Sequence, residues 1–150
     1  MHSPMSKPEP EGRERYLHFQ RIPTRWMDND VYGHVNNVVY YSFFDTVVNQ
    51  YLIEQDVLDI DTSATIGLVV ETGCQYFSSV TFPDVVTGAL RVARLGNSSV
   101  RYEVGIFRND DPMTAAKGHF IHVYVNRATR RPAPLPAPLR QALERLVPAA

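Results

Sequence analysis

The feature that most limits the folds open to this chain is a dense apolar block over residues 38–53. Tyr40, Phe43, Phe44, Val47 and Tyr51 fall at i, i+3, i+4, i+7 and i+11, the spacing of one helical face. Val38, Val39, Tyr41, Val48, Leu52 and Ile53 put apolar groups on most of the remaining surface, leaving Ser42, Asp45, Thr46 and Asn49 as one narrow polar stripe. So apolar a helix has to be largely wrapped by other elements.

Strands are what the rest of the chain offers for the wrapping. Residues 16–25 alternate Leu17, Phe19 and Arg21 against Tyr16, His18 and Gln20, a half-buried strand ended near Pro23. Residues 66–77, 87–95, 98–107 and 115–127 are rich in Val, Ile, Thr, Tyr and Phe, and read as four more strands. Gly96-Asn97 and Asn109-Asp110-Asp111-Pro112 fall where hairpin turns would join three of them into an antiparallel meander. Val100, Tyr102, Val104 and Ile106 alternate with Arg101, Glu103 and Gly105, so the sheet has one core face and one more polar face. Prolines 132, 134, 136 and 138 predict an extended segment, and Leu139, Leu143 and Leu146 a short terminal helix. The order β-α-β-β-β-β-α gives an α+β domain over residues 15–130, one long helix wrapped by a curved antiparallel sheet of about five strands. Residues 1–14, with three prolines and little to bury, are expected to form a disordered leader, and residues 131–150 a Pro-rich tail with its helix.

At 150 residues, 44% hydrophobic and 21% charged, the chain has the size of a single domain. Fifteen Lys and Arg against sixteen Asp and Glu leave a net charge of -1, which provides no basic field for nucleic acid or anionic lipid. No apolar run approaches the roughly 20 residues of a membrane span. The single cysteine, Cys74, cannot form an internal disulfide, and the expected compartment is the cytoplasm.

The stretch from Arg25 to Tyr40 concentrates polar side chains, Asp28, Asn29, Asp30, His34, Asn36 and Asn37, immediately before the apolar helix. The unpaired N–H groups of a helix's first turn carry about half a positive charge, enough to favour a carboxylate and to hold an oxyanion. Asp28 suits a turn or cap, and Asn36 the turn before the helix. The run Asp28 to Gly33 mimics half of a calcium loop, yet Tyr32 stands at the fifth position and Val39 where the twelfth-position glutamate would be. His119 and His122, three apart on a strand, point to opposite faces and cannot share a metal there, so no metal site is expected. Cys74 reads as a structural thiol.

Asp28, Asp30, Gly33, His34, Val35, Asn36, Asn37 and Tyr40 spell D-x-D-x-x-G-H-V-N-N-x-x-Y. This segment closely resembles the active-site signature of the 4-hydroxybenzoyl-CoA and long-chain acyl-CoA thioesterase branch of the hotdog superfamily, and the order of elements agrees over residues 16–127. The resemblance implies a hotdog domain, acyl-CoA hydrolysis without a cofactor other than the coenzyme A of the substrate, and active sites at the interface of a homodimer or homotetramer. It makes Asp30 the nucleophile or general base, and Asn37 the residue whose backbone N–H polarises the thioester carbonyl. His34 matches a histidine placed among the catalytic groups of relatives that include plant acyl-ACP thioesterases. Those enzymes carry an asparagine where this chain has Tyr32, so their full constellation is absent. A packed, backbone-bonded His34 is the alternative. Asp45 matches an acidic position of the family. Substrate would be met by Tyr32, Tyr40, Tyr41 and Phe44, and coenzyme A by Arg94 and the hairpin residues Gly96, Ser98 and Ser99. An acyl carrier protein thioesterase, another hotdog enzyme or a non-catalytic acyl-CoA-binding module are the rival readings.

Overall fold

A computed structural model describes residues 8–59 and 61–149. The apolar block forms helix α1, Asn37–Glu54, and the strands are β1 His18–Pro23, β2 Thr65–Tyr76, β3 Val85–Leu95, β4 Ser99–Arg108 and β5 Ala116–Asn126, followed by α2 Ala137–Glu144. All strand pairs are antiparallel and the sheet order is β1-β3-β4-β5-β2. This is the single α+β hotdog domain that the sequence predicted. The meander is β3-β4-β5, with the first turn closed by the Gly96 N–H on the Ser99 carbonyl, 2.8 Å. β2 crosses to the far side of that meander and becomes an edge.

Helix α1 lies on the inner face of the sheet, its Phe44, Val47 and Val48 meeting Val86, Leu90, Tyr102, Val104 and Ile106, all fully buried. Two glycines allow the close approach: a Cβ at Gly88 would collide with the Val47 side chain, and one at Gly118 with the Phe44 ring. Within the described residues the wrapping is one-sided. Val38 is 69% and Ile53 45% exposed, so the apolar surface beyond the sheet-facing side is not covered within this chain. α2 closes one end of the core through Leu139 and Leu143, with the Tyr51 hydroxyl donating to the Ala142 carbonyl, 2.6 Å.

Two expectations are corrected. On β1 the helix-facing side is His18, Gln20 and Ile22, while Phe19 stays 44% exposed. The polar members find partners on α1: the His18 ring packs 4.9 Å from Tyr51, and the Gln20 amide hydrogen-bonds Gln50. Of the disordered leader, residues 1–7 lie outside the described residues, but residues 11–14 are held on the sheet. Glu11 is ion-paired with Arg91 and Lys117, at 3.0 and 3.3 Å, and Gly12 bridges to Met113. Burial pushes the Glu11 carboxyl up, and the Arg91 and Lys117 charges outweigh it, so the group stays ionised below the usual range.

Candidate active site

The loop between β1 and α1 is rigid because its polar side chains bond its own backbone. Residues Trp26–Asp28 make a 3-10 turn in which buried Asp28 accepts the Arg25 N–H at 2.8 Å and the Arg25 guanidinium at 2.9 and 3.1 Å. Both oxygens of Asp28 are thereby occupied, the capping role that its position suggested. Asn36 is the N-cap of α1, its side-chain oxygen accepting the Val38 N–H at 3.1 Å. Between them the chain folds back on itself, with the Asp30 N–H on the His34 carbonyl, 2.8 Å, and Gly33 in the left-handed region at φ 80. That conformation suits glycine.

Asp30 differs from Asp28. Its Oδ1 accepts the Tyr32 N–H at 2.8 Å and, more weakly, the His34 N–H at 3.4 Å, while no hydrogen bond among the described residues engages Oδ2. The carboxylate faces a pocket of about 410 Å³ shared with Tyr32, His34, Asn37 and Tyr40. At the helix N-terminus Val38 N–H is capped by Asn36 and Val39 N–H bonds the Asn36 carbonyl, 2.9 Å. The Asn37 N–H makes no hydrogen bond among the described residues, so the first helical donor is open toward the pocket it lines. A carboxylate and an unspent helix N–H therefore border one volume.

The opposite wall is a segment that sequence reasoning missed: Tyr76 at the end of β2, then Phe77, Ser78, Ser79 and Val80. The Val35 N–H on the Val80 carbonyl, 2.7 Å, and the Thr81 hydroxyl on the Gly33 carbonyl, 2.5 Å, tie this wall to the Asp30 loop. The Tyr76 hydroxyl donates to the Asn37 carbonyl at 3.1 Å and its ring meets Tyr40 edge-on at 5.0 Å. Burial raises the Tyr40 phenol to about 12 and that of Tyr76 higher still, so both stay neutral donors. The only trace of this wall in the sequence is a strand ending in polar Ser78-Ser79; its pairing with the loop is long-range.

Other predicted contacts fall elsewhere. Phe44 is fully buried against Phe120, ring centroids 5.7 Å apart, because Gly118 lets it sink onto the sheet; it is core and not pocket wall. Tyr41 is half-buried, packed on Phe44 at 5.6 Å. Arg94, Gly96, Ser98 and Ser99 sit at the opposite end of the strands. Through the pairings Val100 with His122 and Ile106 with Ala116, they lie about six residues along β5 from Tyr76, roughly 20 Å. Within one chain the hairpin does not reach the Asp30 pocket, and the Gly96 carbonyl is occupied by Arg140 at 2.6 Å. Asp45 lies exposed on the polar stripe, its carboxyl shifted upward by partial burial. Cys74, with its thiol raised to about 11 by burial, is unreactive in character. His119 pairs with Glu71 at 2.8 Å on the face away from His122, and no group of three His, Cys, Asp or Glu among the described residues is placed to hold a metal.

Residues 24–143 match the model of the thioesterase-like superfamily. The chain belongs to that family. It is a thioester hydrolase of the hotdog fold, with no helix among the described residues long and apolar enough to cross a membrane. Among solved structures it is similar to the PA5185 protein from Pseudomonas aeruginosa strain PAO1, 54% identical over 95% of this chain and 99% of that one, TM-score 0.92. The PA2801 protein from Pseudomonas aeruginosa is 33% identical over 85% and 98%, TM-score 0.79. A thioesterase from Thermus thermophilus complexed with coenzyme A and Zn is 29% identical over 89% and 96%, TM-score 0.74. No curated protein matches this chain.

Proposed function

We propose that this thioesterase hydrolyses an acyl-CoA to the free acid and coenzyme A at the Asp30 pocket. The observation that carries the reading is the meeting of the Asp30 carboxylate and the open Asn37 N–H on one pocket of about 410 Å³. A thioester carbonyl is already electrophilic and a thiolate leaves readily, so a carboxylate and an oxyanion donor suffice. Asp30 attacks the carbonyl carbon as nucleophile, or takes the proton of an attacking water. The negative charge that develops on the carbonyl oxygen is met by the Asn37 N–H and the positive end of α1, an interaction worth about 3 to 4 kcal/mol of barrier. The C–S bond then breaks, and His34, on the same pocket, can return a proton to the departing sulfur. Tyr32, Tyr40 and Tyr76 form aromatic walls for the acyl group. The Thermus thermophilus relative, complexed with coenzyme A, supports a coenzyme A thioester as the substrate class. Asp30 and Asn37 act with no further cofactor in this scheme, and the protein works as a homodimer or homotetramer in the cytoplasm.

Thiol release is measured with short, medium, long and aromatic acyl-CoAs, with and without EDTA. Turnover of at least one class, unchanged by EDTA, is expected. No thiol release from any acyl-CoA, with turnover of an acyl carrier protein thioester instead, would contradict the reading.

A further inference from the structure

A second cavity, of about 270 Å³, opens beside the C-terminal half of α1, where Leu52, Leu58, Ile66 and Gly67 stand around His122 and Tyr124. It shares no lining residue with the Asp30 pocket. Leu52 is twelve residues along α1 from Tyr40, about 18 Å at 1.5 Å per residue.

Its unusual member is His122. The residue stands on the inner face of β5 and is 5% exposed. Tyr102, Phe120 and Tyr124 hold the imidazole among three rings, with centroids at 5.0, 5.6 and 6.1 Å. Nε2 is sealed from solvent and has no hydrogen-bond partner among the described residues. The nearby hydroxyls of Tyr102 and Tyr124 bond each other at 2.6 Å. Nδ1 lies toward Gly67, where a Cβ would come within 2.9 Å of it. Any larger residue at position 67 would press on the imidazole and narrow the cavity. A neutral imidazole carries one donor and one acceptor, and burying them unpaired is costly, whereas Phe or Leu would fill the same place at no such cost. A polar ring kept beside a space left by glycine is what a ligand needs.

We propose that this cavity binds a small, neutral, mostly apolar molecule carrying one hydroxyl, an alcohol or phenol of roughly ten heavy atoms, whose hydroxyl hydrogen-bonds the His122 ring. Leucine and isoleucine walls receive the hydrocarbon part. Burial pushes His122 down to about 4, so at neutral pH the ring offers a lone pair and an N–H but no charge to attract a carboxylate. The proposal stands independently of the acyl-CoA reading, because no residue is common to the two sites.

The test uses the full chain with 15N-labelled histidine, titrated with 4-ethylphenol and with ethylbenzene, which lacks the hydroxyl, while the ring nitrogens are followed by NMR. In the wild type, 4-ethylphenol should shift the His122 ring nitrogens saturably and bind roughly threefold to tenfold tighter than ethylbenzene, the value of one hydrogen bond. His122→Phe should bind the two probes alike, and Gly67→Ala should weaken both. If either variant fails to fold, the wild-type titration decides alone. Three results overturn the proposal: no saturable shift at His122, equal affinity for the two probes in the wild type, or a shift confined to the His34 ring, which would place the phenol in the Asp30 pocket.

Discussion

At Asp28 both carboxylate oxygens are bound by Arg25, whereas at Asp30, two positions on, one oxygen takes backbone N–H groups and the other has no partner among the described residues. Their difference in role was legible in the sequence only through the motif, since both are short acids ahead of a helix. Asn36 was legible from chemistry alone, because a cap before an apolar helix is a local matter. Phe44 was misread because its depth depends on Gly118, seventy-four positions later. His122 carries a pH prediction at this scale. Burial lowers it to about 4 from an ordinary 6.5, so between those values the unfolded chain binds a proton that the folded one refuses. Stability is then complete above pH 6.5 and declines as pH falls toward 4, by roughly 3 kcal/mol in all. His18, also lowered by burial, adds a slope of the same sign. Urea unfolding of wild type and His122→Phe from pH 7 to 4.5 should show a clearly shallower decline in the variant; parallel curves would show that His122 does not titrate this way.

Among the elements, α1 was legible because a 3.6-residue period over eighteen residues leaves no other reading, and β3, β4 and β5 because hairpin turns separate them. The facing of β1 was not: its apolar residues lie outward, since Gln20 and His18 find partners on α1 that no local pattern reveals. The placement of β2 beside β5 and the wall of residues 76–80 were equally hidden, being fixed by pairings between distant segments. What holds that wall against the sheet is Asp84, 8% exposed, which accepts from the Thr81 N–H at 3.0 Å, Arg108 at 2.7 Å and the Asn109 amide at 3.0 Å. Burial pushes its carboxyl up, yet these three donors outweigh burial and hold it below the usual range. Its contribution is therefore present above about pH 4 and lost as pH falls further. Asp84→Ala should cost about 2 to 3 kcal/mol in urea unfolding at pH 7 and loosen the pocket wall. An unchanged unfolding midpoint would mean that the three bonds do not hold this corner.

For the whole molecule the telling feature is the uncovered edge. β2 is twelve residues long, ends the sheet, and exposes Leu68, Val69 and Val70 at 37, 48 and 60%. A long apolar edge of this kind invites pairing with another strand, and the apolar surface of α1 away from the sheet points the same way. We expect a homodimer or homotetramer, with light scattering giving a multiple of 17.0 kDa at micromolar concentration and Val69→Lys shifting the mass toward one chain. A wild-type mass of one chain would contradict this. Assembly also bears on the hairpin of Arg94, Gly96, Ser98 and Ser99, which lies far from the Asp30 pocket of its own chain and can meet coenzyme A only if another copy brings it there.

The claim on which the mechanism depends is that Asp30 supplies the charge for attack, and Asp30→Asn removes that charge while keeping the side chain's size. With the best acyl-CoA found by thiol release, kcat of the folded variant should fall by roughly 10²-fold or more while substrate affinity changes little. Turnover of folded Asp30→Asn within about threefold of wild type would contradict the assignment.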